Sequence, residues 1–154
     1  MNREIKFRGK RSDNGAWETG SLVVTGQGMS FCKYYIADKM TGYHTPVIKN
    51  TIGQFTGLMD RNGREIYEGD IIKINTHYQH IVPFDYPYRY EDEKGFALYV
   101  VEWNARHSGM DLVMKNYTKM EPTCQILHVG NHHGIIGNIH DQPELTQPPK
   151  RIDG

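Results

Sequence analysis

Little in this chain points directly to chemistry, and each scarcity excludes something. Cysteine occurs twice in 154 residues. Cys32 and Cys124 are far apart and match no metal-ligand or redox spacing, so both read as buried free thiols in apolar β-like runs. A chain of this length buries about two thirds of its unfolded surface and needs no disulfides. No apolar run approaches the roughly 18 residues of a membrane helix. The opening "MNREIKFRGK" lacks the apolar stretch of a secretory leader, and a reducing cytoplasm is the expected compartment. Net charge is absent too, with 18 Lys+Arg against 18 Asp+Glu. That balance argues against a protein whose main task is gripping phosphate backbones. Finally, no apolar 3.6-residue period lasts three turns, which excludes long amphipathic helices.

What is present points to β structure. There are 16 glycines and 10 tyrosines, with few Leu or Ala, and short period-two or wholly apolar runs alternate with turn residues. "EIKFR", the turn "SDNG" and "AWETGSLVV" read as a first hairpin. "MSFCKYYIA" and "HTPVIKNTI" follow, with Pro46 marking a strand start or edge. Further on, "REIY", "DIIKI", "ALYVVEWN", "MDLVMK", "CQILHV" and "GIIGNIH" are strand candidates. Only "DQPELT" looks helical, with Asp141 or Gln142 as cap and Pro143 in its first turn. "QPPKRIDG" reads as a frayed tail. This spacing of strands describes a meander or a small barrel.

The densest signal is "GQFTGLMDRNGREIYEGDII", residues 53–72. As an EF-hand starting at Asp60 it fails, because Arg64, Glu65 and Ile71 stand where an oxygen ligand, glycine and glutamate are required. As a phosphate loop it fails on glycine spacing, on the missing Lys and on the strand-like sequence that follows. Corner chemistry remains. Asn62-Gly63 suits the positive φ angles of a tight turn, with Asp60 hydrogen-bonding the backbone ahead and Leu58 and Ile66 on the flanking strands. Gly69 allows a sharp bend, after which Asp70 can accept from backbone donors.

Four segments in this order, "IKFRGK", "TIGQFTGLMDRNGREIYEGDII", "VVEWN" and "IIGNIHDQPEL", resemble the YopX family of phage and prophage proteins. The resemblance covers roughly residues 4–145. It implies a mainly β fold: an N-terminal β meander (1–52) leading into an SH3-like small barrel (53–145), at most one or two short helical turns, and a flexible tail (146–154). It also implies a bacterial or phage cytoplasm. It brings no established activity and no catalytic residues, and no cofactor is expected.

The segment 75–95 departs from the family pattern. It is too long for an ordinary structureless connection of about 12–15 residues, so it is functional, disordered or holds its own hairpin. Tyr78, Phe84, Tyr86, Tyr88 and Tyr90 make it unusually aromatic for a disordered loop, and it is expected to pack against the barrel or another subunit. These five residues are the candidate partner-binding set.

The alternative is a nucleic-acid surface. Arg3, Lys6, Arg8 and Arg89 would supply charge, with stacking on Tyr86, Tyr88 or Tyr90. The neutral balance and the acidic "EDE" at 91–93 oppose it. His128, His132, His133 and His140 lie within thirteen residues, yet glycines and β-branched residues around them oppose a helical ligand pair, and no metal is assigned. Glu65, Glu68 and Asp70 could cluster around the central hairpin, with Glu102 in a strand. No Ser or Cys nucleophile motif accompanies them. Trp17 and Trp103 read as sheet-packing residues. The expected function is non-enzymatic: a module that binds protein, or itself, through the aromatic segment and exposed strand edges.

Overall fold

A computed structural model describes residues 4–26, 33–81, 90–104, 106, 109–117 and 134–147, with the backbone alone described at 76–81, 90–95 and 114–117. Among the described residues there are two antiparallel sheets. The first contains β1 (Phe7–Lys10), β2 (Trp17–Thr25), β3 (Lys33–Ala37), β4 (His44–Pro46), β5 (Gly53–Met59) and β6 (Glu65–Tyr67), in the order β4-β3-β2-β1-β5-β6. The second contains β7 (Asp70–Ile81), β8 (Tyr90–Asn104), β9 (Gly109–Tyr117) and β10 (Gly134–Asn138), in the order β10-β7-β8-β9. Two 3-10 turns, Lys49–Thr51 and Pro143–Thr146, complete the secondary structure. Pro143 occupies the first turn of the latter, and Gln142 precedes it without a side-chain capping bond.

The mainly β character is as expected, but the SH3-like barrel is not. Closure requires the terminal strands of a sheet to hydrogen-bond each other. Here β5 instead pairs with β1 (Phe7 opposite Gln54, Arg8 opposite Gly53), and β4 and β6 remain outer strands of an open sheet. The chain then crosses to the second sheet through Glu68 and Gly69. Gly69 adopts φ 85°, a left-handed conformation costly for any residue with a Cβ. In the second sheet β7 lies between β10 and β8, leaving β9 and β10 at opposite margins. The strands alternate as a barrel's would, but the pairing partners differ.

The second sheet is covered on both faces, which explains why "DIIKI" and "ALYVV" are continuous apolar runs rather than alternating ones. Ile72, Ile74 and Val101 pack with Ile66 of β6, flanked by Tyr99, Met110, Leu112 and Ile135. Ile71, Leu98 and Val100 face the other way, against Phe96, Ile139 and Leu145. Trp103 departs from its expected packing role and is 44% exposed.

Most of residues 75–95 is strand, not loop. The β7–β8 register continues from Asn75 opposite Phe96 through Thr76–Gly95, His77–Lys94, Tyr78–Glu93, Gln79–Asp92 and His80–Glu91 to Ile81 opposite Tyr90. β10 pairs with β7 only up to Lys73, and β9 pairs with β8 only from Ala97 onward. The outer six rungs therefore pair with each other alone among the described residues.

Candidate functional site

Strand periodicity places Lys6, Arg8 and Lys10 on one face of the chain entering and forming β1. Each meets a carboxylate distant from it in sequence. Lys6 pairs with Glu65, Arg8 with Asp70 at 2.6 Å, and Lys10 with Asp141. The three basic side chains are only 16, 13 and 18% exposed. This row of ion pairs runs along β1 and ties it to β6, to the start of β7 and to the segment after β10.

The central pair is the most enclosed. Asp70 Oδ2 accepts from the Tyr67 backbone N–H at 2.8 Å, and its Oδ1 also lies 3.4 Å from Asn138 Nδ2. Arg8 additionally donates to the Glu68 carbonyl at 3.3 Å. Its guanidinium sits between two rings, 4.6 Å from the centroid of Trp17 and 4.7 Å from that of Tyr67. Such stacking favours the planar, weakly hydrated guanidinium over an ammonium. Burial pushes the Asp70 carboxyl above the usual carboxylate range, against the opposing charge of Arg8 and the bonds from Tyr67 and Asn138.

The flanking pairs are anchored by aromatic donors. The Tyr67 hydroxyl donates to Glu65 at 2.7 Å, and burial followed by that hydrogen bond raises the phenol. Burial also acts to raise Glu65, but the bonds from Lys6 and Tyr67 outweigh it and hold the carboxyl low. Trp17 Nε1–H donates to Asp141 at 2.8 Å. Burial is again outweighed, here by Lys10 and Trp17, and Asp141 stays below its ordinary range. His140, whose ring centroid is 6.3 Å from that of Trp17, is lowered by burial and then by the charges of Lys10 and Arg8.

Glu65 and Asp70 thus belong to internal ion pairs, and Glu68 contributes its backbone carbonyl. Sequence reasoning identified the basic residues but not their acidic partners. Alternation in "EIKFRGK" could show that the cations share a face; nothing local could show what that face meets.

The DRNG corner combines local and distant bonds. Asp60 is 3% exposed, and its Oδ1 accepts from the backbone N–H groups of Asn62 at 2.7 Å and Arg64 at 2.9 Å. Gly63 supplies the positive φ, at 76°. The other oxygen, Oδ2, accepts from Ile135 N–H in β10 at 3.2 Å. Burial alone would raise this carboxyl, but the donors of Arg64, Asn62 and Ile135 together hold it low. The corner is therefore also a tie between the β5–β6 turn and the second sheet.

Of the aromatic candidates, Tyr78 and Tyr90 occupy register positions in the outer β7–β8 rungs. Phe84, Tyr86 and Tyr88 lie outside the described residues, as do Arg3 and Arg89, Cys32 and Cys124, and His128, His132 and His133. Among the described residues no group of three or more His, Cys, Asp or Glu side chains is placed to hold a metal ion. No helix among them is long and apolar enough to cross a membrane.

Comparison with known proteins adds a family. A profile described as "YopX protein" matches residues 6–147. A search of curated proteins returned no match. Similar solved structures include the crystal structure of protein EF1440 from Enterococcus faecalis. It has 18% sequence identity and a TM-score of 0.47, over 95% of this chain and all of that one.

Proposed function

The chain belongs to the YopX family, and from that premise we propose that it is a non-catalytic phage or prophage protein that binds protein, in the first instance a second copy of itself, through the outer part of the β7–β8 hairpin. One observation carries this proposal: residues 76–81 and 90–95 pair only with each other among the described residues. A free two-stranded ribbon is marginal in water, and its outer edges offer backbone donors and acceptors to an added strand. At about 3.3 Å per residue, six rungs give an arm of roughly 20 Å. Tyr78 and Tyr90 lie on it, and the connecting sequence holds Phe84, Tyr86 and Tyr88. Tyrosine suits such a contact because it offers large area at low entropic cost.

Light scattering after size exclusion, over a range of protein concentrations, tests the proposal. The wild-type protein should associate. A variant with residues 77–94 replaced by Asn-Gly should be monomeric with an unchanged β-type circular dichroism spectrum, and Tyr78→Ala with Tyr90→Ala should weaken association. A wild-type protein that stays monomeric throughout, or a shortened variant that still associates, would refute it.

The nucleic-acid alternative rested on Lys6 and Arg8 among others. Their charge is directed inward, onto Glu65 and Asp70, which weakens that version of the alternative.

A further inference from the structure

A cleft of about 320 Å³ opens at the β3–β4 hairpin of the first sheet, lined by Lys33, Tyr34, Tyr35, Pro46, Val47 and Lys49. Its origin is topological. β4 pairs with β3 from Ala37 opposite His44 to Tyr35 opposite Pro46, and Val47 N–H still donates to the Tyr34 carbonyl at 2.9 Å. The chain then leaves for β1, where Ile48 N–H donates to the Lys10 carbonyl at 2.9 Å. Among the described residues the start of β3 has no strand partner on that side, and the cleft lies there.

The lining has a consistent chemistry. Lys49 Nζ returns to 5.5 Å from the centroid of the Tyr34 ring. Lys33 and Lys49 are both exposed, whereas Val47 is buried. No carboxylate lines the cleft. Neither lysine has an acidic partner among the described residues, unlike Lys6, Arg8, Lys10, Arg11 and Lys39, which are all ion-paired. In a chain with equal numbers of basic and acidic residues, the cleft is thus locally basic, beside tyrosine and proline surfaces. The volume lies at the small end of small-molecule sites, which run from about 300 to 1,000 Å³.

We infer that this cleft binds a planar aromatic anion of mononucleotide size, the ring lying against Tyr34, over which Lys49 stands, and the phosphate attracted by Lys33 and Lys49. Base stacking on an aromatic ring with a nearby cation is the general chemistry of such sites. A free nucleotide and an unpaired nucleotide of a single strand share that chemistry. The site is independent of the β7–β8 arm.

Adenosine 5′-monophosphate, by calorimetry, and a short fluorescein-labelled oligodeoxyadenylate, by anisotropy, are the probes. Binding of the monophosphate identifies a free-nucleotide site; binding of the oligonucleotide alone identifies a single-strand site. In either case Lys33→Ala with Lys49→Ala should weaken binding at least about tenfold, the scale of 1.4 kcal/mol. Arg64→Ala with Arg106→Ala removes the same charge elsewhere on the surface and should leave affinity within about twofold. Tyr34→Leu, confirmed folded by circular dichroism, should also weaken binding. Absence of binding by both probes, or equal weakening in the two charge-removal variants, would overturn the assignment.

Discussion

Arg8 and Asp70 are 62 positions apart in sequence, yet their side chains meet at 2.6 Å with the Asp70 carboxylate only 2% exposed. This contact joins β1 of the first sheet to the first residue of β7 in the second. Removing either partner leaves a buried charge, which typically costs about 3–5 kcal/mol. Asp70→Ala should destabilise by that order in urea unfolding. Arg8→Met should do the same at neutral pH, but its deficit should shrink on acidification. Burial already raises the Asp70 carboxyl, and without Arg8 it rises further, so the folded variant holds the proton to higher pH than its unfolded chain. Its stability should then fall as pH rises from the ordinary aspartate value through that raised one. A deficit independent of pH would contradict this. Arg8→Met with Asp70→Leu should recover much of the loss.

Asp60 supplies stability of the opposite pH sign. Its carboxyl is held below the ordinary value in the fold, so its contribution is complete above the unfolded aspartate pKa and is lost as pH falls through the lowered one. Asp60→Ala leaves the N–H groups of Asn62, Arg64 and Ile135 without this acceptor. A buried donor left unpaired costs about 1–3 kcal/mol. The variant should unfold at lower urea concentration, and its acid transition, followed by circular dichroism, should lose steepness below about pH 4.

His140 should titrate in the folded protein below its ordinary value, because burial and the charges of Lys10 and Arg8 disfavour the imidazolium. The neutral form is favoured in the fold, so stability increases with pH between the lowered pKa and the ordinary one, about 6.5, and is lost on acidification through that window. An NMR titration of the ring protons should show the low midpoint. Lys10→Met should move it upward, since one repelling charge is gone and Asp141 loses its lysine partner. A midpoint unmoved by that substitution would rule out Lys10 as a cause.

Gly53 and Gly63 should respond differently to alanine. A Cβ on Gly53 would lie 2.5 Å from the Glu68 carbonyl oxygen, a backbone atom that cannot turn aside. At Gly63 the space is open and only the φ of 76° opposes a side chain. Gly63→Ala should cost about 1 kcal/mol from backbone strain. Gly53→Ala should cost clearly more, because β5 must move away from the Glu68–Gly69 crossing. Thermal denaturation of the two variants checks the order.

The features fixed by the sequence itself are those whose hydrogen bonds close within a few residues. The SDNG hairpin, the Asp60–Asn62–Gly63 corner, the Gly69 bend and the turn begun by Pro143 were all legible, since side-chain acceptors and permissive φ angles act locally. The ordered motifs also carried the family. Tertiary structure alone decided the rest: that β5 returns to β1 and leaves the sheets open, that Lys6, Arg8 and Lys10 face Glu65, Asp70 and Asp141, and that Asp60 reaches Ile135. Alternating apolar residues satisfy an open sheet and a closed barrel equally well, because the pleat fixes which face a side chain takes but not which strand lies beside it. That choice depends on burying the Ile66, Ile72 and Ile71 faces together with the polar row between them, and no short window of the chain contains both sides of those contacts.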